Sequence, residues 1–237
     1  MKEGAVIVGA ICARGGSKGV RRKNLIPLGG IPLIVHTIRC AQACPVLHRI
    51  VVSTDDEEIA EVAKKHGAEV PFIRPAHLAQ DDSPKWQVFQ HLVQTMEQMT
   101  GRAVDVLVDL DAGVPLRQPS DIVRCVDQLL SGQAEVVVTA YKAERNPYFN
   151  MIELNADGFA KIVKESAKPI TRRQDAPPVY NLSPAVYAIL RDALWKHEHW
   201  SEARVQIQVI PRERAIDIDS EFDFFLVEHL MRLQELR

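Results

Sequence analysis

The segment Ala13-Arg14-Gly15-Gly16-Ser17-Lys18-Gly19-Val20-Arg21-Arg22-Lys23-Asn24 gathers three glycines and five cations into one loop. Glycine lets backbone N–H groups approach a ligand closely, and successive N–H groups form a nest for anions. Arg14, Lys18 and Lys23 add charges suited to a polyphosphate. A solvated basic turn is the plain alternative, but packing gives no reason for this composition. The spacing matches neither a Walker A loop nor a dinucleotide fingerprint. Near the other end stands Asp217-Ile218-Asp219. Alternate residues of a strand point the same way, so the two carboxylates would share one face with Ile218 packed behind. Paired hard oxygens suit Mg2+, which also takes phosphate oxygens and waters. Acids at a helix N-terminus are the competing reading, and Asp219 with Ser220 also satisfies it. Loop and pair together point to one nucleoside triphosphate with Mg2+, on which both must converge.

Those residues need elements to hold them. Ala5 to Cys12 is an apolar run rich in Val and Ile, and it reads as a central strand buried on both faces. Pro32 opens a helix with Leu33, Ile34, Ile38 and Ala41 on one face, and Pro45 stops it. Arg49 to Thr54 is a second strand, Asp55 and Asp56 cap a helix ending near Gly67, and Val70 to Ile73 reads as a third strand. Ser83-Pro84 starts a helix, Val104 to Leu110 is a strand, Pro119 begins a helix, and Glu135 to Tyr141 is a strand. This alternation predicts a parallel sheet with helices on both faces and the ligand at the carboxyl ends of the strands. The stretch from Asn146 to Pro178 breaks the rhythm. Met151–Leu154 and Phe159–Val163 flank an Asp157-Gly158 turn and read as a hairpin, an arm or lid over about 146–180. Strands at Ala185–Leu190 and Val205–Ile210 and a helix capped by Ser220 complete a single domain over 1–237.

Composition narrows the classes. The chain has 237 residues, 46% hydrophobic and 25% charged, with a net charge of -2. That length can bury a substantial core, and the charge balance excludes a dedicated nucleic-acid or membrane-surface binder. The four cysteines form no C-x-x-C pair, which fits reduced thiols rather than a disulfide framework. No signal peptide or membrane-spanning stretch is readable, so a cytoplasmic location is expected.

The basic loop resembles the N-terminal signature of the acylneuraminate cytidylyltransferases, Ala-Arg-x-x-Ser-Lys-Gly followed by Lys-Asn. Arg14, Ser17, Lys18, Gly19, Lys23 and Asn24 fill those places. The likeness continues at Val51–Asp55, Arg74–Ala79 and Pro115-Leu116-Arg117, and ends in Ala215–Asp223, so it spans nearly the whole chain. The related CMP-3-deoxy-octulosonate synthetases share it. The resemblance implies a three-layer α/β/α sandwich with a mostly parallel, Rossmann-like sheet and a dimerisation arm. It implies transfer of CMP from CTP to the anomeric hydroxyl of an acidic 2-keto-3-deoxy sugar, with release of pyrophosphate, in a homodimer. Ala13, Arg14, Gly15, Gly16, Ser17, Lys18, Lys23, Asn24, Ser83 and Arg117 would then meet the nucleotide. Arg14, Lys18, Lys23, Asp217 and Asp219 would carry the chemistry, the two aspartates through Mg2+. Asp111, Arg173 and Tyr187 would meet the sugar, Arg173 reading its carboxylate. Trp200 stands near a family aromatic supplied across the dimer.

Two motifs depart from that pattern. The usual Arg-Pro-Asn-Gly is Asn181-Leu182-Ser183-Pro184. The usual Leu-Gln-Pro-Thr-Ser-Pro-Leu-Arg is Leu110-Asp111-Ala112-Gly113-Val114-Pro115-Leu116-Arg117, so a sugar-contacting glutamine becomes Asp111 and two hydroxyls are lost at Gly113-Val114. Asp109 and Asp111 alternate at a strand end, either creating a further cation or amine site or facing solvent. The departures widen the acceptor from N-acetylneuraminate to amino-substituted or legionaminate-like nonulosonates and eight-carbon 3-deoxy acids. Two rival functions remain open at this level: a sugar-1-phosphate nucleotidyltransferase using another nucleotide, and a non-catalytic nucleotide-sugar-binding paralogue.

Overall fold

The computed structural model describes residues 4–16 and 19–235. Its centre is a six-stranded sheet built from β1 (Ile7–Cys12), β4 (Arg49–Ser53), β5 (Val106–Asp109), β6 (Val136–Lys142), β9 (Tyr180–Leu190) and β10 (Val205–Val209). The spatial order is β10-β6-β9-β5-β1-β4. β1 runs parallel to β4 and β5, and β10 parallel to β6, while β9 pairs antiparallel with both β5 and β6. Five strands therefore run one way and one runs against them, inside a sheet expected to be mostly parallel.

Period-two alternation splits the apolar residues of each strand between two cores. Ile7 and Ile11 of β1 join α1 (Leu33–Gln42), α2 (Glu57–Lys65) and α4 (Pro119–Leu130) on one face. Val8 and Ala10 join α3 (Lys85–Thr100) and α5 (Arg191–Lys196) on the other. The three layers follow from that division. A third cluster seats α6 (Glu221–Glu235) through Val227 against Leu28, Leu33, Leu116 and Ile218.

Two of the expected caps form. Asp56 accepts from Ile59 N at 3.0 Å to start α2. Ser220 Oγ and the Asp223 carboxylate cap α6 reciprocally, each accepting the other residue's backbone N–H. The expected strand at Val70–Ile73 does not form. Glu69 makes a single bridge to Val51 and Arg74 N donates to Thr54 O, but Pro71 between them has no N–H to continue a ladder.

β9 begins at Tyr180, five residues before the expected strand, and carries an irregularity opposite Val138–Thr139. Pro184 sits in it and breaks the ladder, and Thr139 Oγ1 fills the gap by donating to Ser183 O and accepting from Val186 N. The hairpin forms as read, with β7 (Ile152–Leu154) antiparallel to β8 (Ala160–Ile162) in a separate two-stranded sheet. Gly158 takes the left-handed conformation its turn needs, at φ 83°. Short strands β2 (Pro27–Leu28) and β3 (Ile31–Pro32) pair just before α1. No helix among the described residues is long and apolar enough to cross a membrane.

Candidate active site

The basic loop leaves the carboxyl end of β1 and is tied down by its neighbours. Ala13 N donates to Ser53 O at 3.0 Å, Gly15 N donates to Asp55 Oδ1 at 3.0 Å, and buried Asn24 donates to Arg14 O at 3.1 Å. Asp55 thus holds the loop instead of capping α2. Two glycines are obligatory by distance. A Cβ on Gly15 would stand 2.7 Å from Asp56 Oδ2, and one on Gly19 would stand 2.2 Å from Asp219 O. Arg22 adopts the left-handed conformation at φ 54° and pairs with Asp56 and Glu58 beside α2.

The far end of the chain closes onto this loop. Lys23 Nζ lies 3.1 Å from Asp219 Oδ1 and 3.7 Å from Asp217 Oδ1. Cys12, Arg14, Gly19, Lys23, Asn24, Asp111 and Asp219 line a cavity of about 380 Å3. The convergence required by the sequence is therefore present. The strand expected to carry Asp217 and Asp219 is not. The chain there is irregular, between a short turn at Arg212–Arg214 and α6. Ile218 supplies the anchor instead: its N–H donates to Gly113 O at 2.9 Å and its side chain is fully buried in the third cluster. Burying that side chain stabilises the segment by roughly 1.5–3 kcal/mol. Both carboxylates still reach Lys23.

Gly113 explains one departure from the family motif. A Cβ there would fall 2.1 Å from Asp217 Oδ1 and 3.1 Å from Lys23 Nζ. The missing side chain is what lets Asp217 pack against the loop after β5. Burial, aided by the neighbouring Asp111 charge and offset in part by Lys23, pushes the Asp217 carboxyl up to about 6. Its Oδ1 is buried without a hydrogen-bond partner. Asp219 by contrast is exposed.

Asp109 is buried, Asp111 is partly exposed at the nucleotide cavity, and the cation between them is the protein's own. Lys85 Nζ lies 2.7 Å from Asp109 Oδ2 and 3.1 Å from Asp111 Oδ2. Burial alone would pull the lysine down, but the two carboxylates outweigh it and hold it well above its ordinary value. Burial raises Asp109, with Lys85 opposing. For Asp111 burial also acts upward, but Lys85 and the Gly113 N–H at 3.0 Å overcome it and the carboxyl ends lowered. Beside Lys85 opens a second cavity of about 320 Å3, walled by Trp86, Phe89, Tyr187 and Trp200.

A family model described as Cytidylyltransferase matches residues 7–233. The chain belongs to the cytidylyltransferase family. This cytidylyltransferase is 38% identical over 231 residues to the post-translational flagellin modification protein B of Campylobacter coli, covering 98% of this chain and 97% of that one. It is 39% identical over 232 residues to the CMP-N,N'-diacetyllegionaminic acid synthase of Campylobacter jejuni, with the same coverage. Its fold is similar to that of CMP:2-keto-3-deoxy-manno-octonic acid synthetase solved with CTP, at TM-score 0.69, 18% identity and coverage of 97% and 100%. It is a nucleotidyltransferase enzyme.

Of the expected site residues, the cytidylyltransferase brings Arg14, Lys23, Asn24, Asp111, Asp217 and Asp219 together and puts Tyr187 in the adjoining aromatic cavity. Gly15 shapes the loop, Gly16 is exposed on it, and the Ala13 side chain is core. Ser17 and Lys18 lie outside the described residues. Three others stand elsewhere. Ser83 bonds within its own turn, donating to His77 O and accepting from Gln80 N. Arg117 is buried and donates to Thr37 Oγ1, Asp111 O and Ala185 O, so it is a strut between α1, β9 and the loop after β5, not a nucleotide contact. Arg173 is exposed beside a separate cavity with Lys142, Asn146 and Pro177. Lys85 carried one signal: a cation at the first residue of α3, where the helix dipole disfavours it, must answer to nearby carboxylates. Asp55 carried none, since a cap and a loop clamp look alike in sequence.

Proposed function

We propose that this cytidylyltransferase transfers CMP from CTP to the anomeric hydroxyl of a 2-keto-3-deoxy nonulosonate acid, with N,N'-diacetyllegionaminic acid as the acceptor. The observation that carries the reading is Lys23, whose ammonium joins the basic loop to both aspartates. The relative at 39% identity supports the choice of acceptor.

The residues fit Mg2+. The buried Asp217 Oδ1 lacks a hydrogen-bond partner, and the exposed Asp219 stands beside it. Among the described residues no group of three or more His, Cys, Asp or Glu gathers as a metal cage. Two carboxylates with phosphate and water oxygens are a usual set for this ion. Bound by Asp217 and Asp219, Mg2+ would neutralise phosphate charge and make the sugar hydroxyl more acidic.

The chain's own groups do the rest by position and charge. Arg14, Lys18 and Lys23, with the loop N–H groups and Ser17, hold the triphosphate. The sugar oxygen attacks the α-phosphorus in line. A new O–P bond forms, the bond to the β-phosphate oxygen breaks, and pyrophosphate leaves with its charge held by the same cations. Lys23 is paired with the aspartates before nucleotide binds, which keeps it in place. Tyr187 lines the sugar's cavity.

Arg173 reaches the carboxylate of the sugar from a second copy. In one chain it stays with the arm, and the exposed Ile152, Leu154 and Phe159 of the hairpin give that arm an apolar face for a homodimer. The chain works as a single nucleotidyltransferase domain in the cytoplasm. Pyrophosphate release from CTP over a panel of nonulosonic and 3-deoxy-octulosonic acids tests the reading. Release with N,N'-diacetyllegionaminate is expected. Release only with a sugar 1-phosphate, or none with any acid, would overturn it.

A further inference from the structure

The Lys85 ammonium has three N–H donors. One donates to Asp111 Oδ2 at 3.1 Å, Asp109 Oδ2 is an ion-pair partner at 2.7 Å, and at least one N–H remains for a ligand. The Lys85 side chain is nevertheless 44% exposed, whereas that of Asp109 is 1% exposed. Both line the aromatic cavity, and the lysine offers a ligand by far the larger surface. Neither Asp109 oxygen has a hydrogen-bond partner, and the buried carboxylate holds the lysine by charge.

The cavity walls are fixed. Trp86 Nε1 donates to Leu194 O at 3.1 Å and to His197 O at 2.7 Å. The rings of Tyr187 and Trp200 meet edge to face at 6.0 Å, and those of Trp86 and Phe89 at 6.1 Å. Four aromatic side chains around one charged donor, with Glu198 and His199 at the same cavity, suit a group that is apolar at one end and accepts a hydrogen bond at the other. Charge narrows the choice. One lysine between two carboxylates leaves the cluster at net −1, so an incoming carboxylate is repelled while a neutral carbonyl is not. A bare hydroxyl would satisfy the donor but leave the rings unfilled.

We propose that Lys85, held by Asp109 and Asp111, is a specificity residue that donates to the carbonyl of an acylamino substituent seated among Trp86, Phe89, Tyr187 and Trp200. The inference rests on the nonulosonate reading above and deepens it by naming the substituent. Asp111 also lines the nucleotide cavity, so the same ion cluster fixes the substituent's cavity relative to the reacting phosphate.

The test compares N,N'-diacetyllegionaminate with analogues in which one acylamino group is replaced by hydroxyl, reading kcat/KM for each sugar and KM for CTP. The informative variant is Lys85→Met/Asp109→Asn, which removes one positive and one negative charge and leaves the net charge unchanged. It should lose roughly 10- to 100-fold with the diacetyl sugar, the scale of a hydrogen bond to a charged group. It should lose less than about threefold with the analogue the wild type disfavours, with KM for CTP held within about threefold. Lys85→Arg should retain most of the discrimination, which a merely structural lysine would not require. Equal loss on every sugar, or a wild type that does not distinguish the analogues, overturns the role of Lys85 and leaves the cytidylyltransferase reading standing. No wild-type turnover on any of these sugars overturns both.

Discussion

Asp217→Asn should make this enzyme more stable while abolishing its turnover. A carboxyl whose value rises from 3.8 to about 6 on folding is disfavoured in its charged form by the folded protein. At 1.36 kcal/mol per tenfold change in proton affinity, the cost at pH 7.5 is on the order of 2–3 kcal/mol. The side chain is 26% exposed, so solvent reduces the figure only in part. The sign follows from the direction. The folded state holds the proton more tightly than the unfolded chain, so the cost is fully present above about 6 and fades as pH falls toward 4. Asparagine removes the charge at every pH. Scanning calorimetry in EDTA at pH 7.5 should show a Tm higher by roughly 4–12 °C, at about 2–4 °C per kcal/mol for a chain of this size. At pH 4 the two proteins should melt together. Adding Mg2+ and CTP should raise the wild-type Tm and narrow the difference, because ligand that binds only the native state stabilises it. Pyrophosphate release should fall at least about 100-fold. An equal or lower Tm for the variant at pH 7.5, or a gain that persists unchanged at pH 4, would refute the account of Asp217 as a carboxylate kept charged at the expense of stability.

Arg173→Ala and Asp219→Ala should each be nearly inactive, and unfolding and refolding them together should restore about a quarter of wild-type turnover, the share of intact sites in randomly mixed dimers. No recovery would place Arg173 in the same chain's site or outside the reaction. Gly113→Ala should lower kcat by about 10-fold or more, because the new Cβ would overlap Asp217 Oδ1 and displace it, with a smaller change in KM for CTP; unchanged kinetics would show that Asp217 need not sit there. Arg117→Met should destabilise by about 3 kcal/mol or more, since Thr37, Asp111 and Ala185 lose a buried donor, as read by urea unfolding. The folded fraction should retain a near-normal KM for CTP; a large rise in KM without loss of stability would return Arg117 to the nucleotide.

The sequence determined what short-range chemistry can encode. Period-two and helical patterning placed the helices, the hairpin and most strands, though not Val70–Ile73, because each depends on neighbours a few residues away. The composition of the Ala13–Asn24 loop and the paired acids of Asp217-Ile218-Asp219 singled out both halves of the candidate site, although the strand expected under the acids does not form. Tertiary structure decided which side chains meet. Lys23 and Asp219 are 196 positions apart, and nothing local records their 3.1 Å contact. β9 entered the sheet against its neighbours, since strand direction depends on where the preceding arm returns the chain. Arg117 was expected to meet the nucleotide until burial among three acceptors made it a strut. Asp109 and Asp111 looked open until Lys85, from a different helix, came between them, for a charge pattern shows what needs a partner and only packing supplies it.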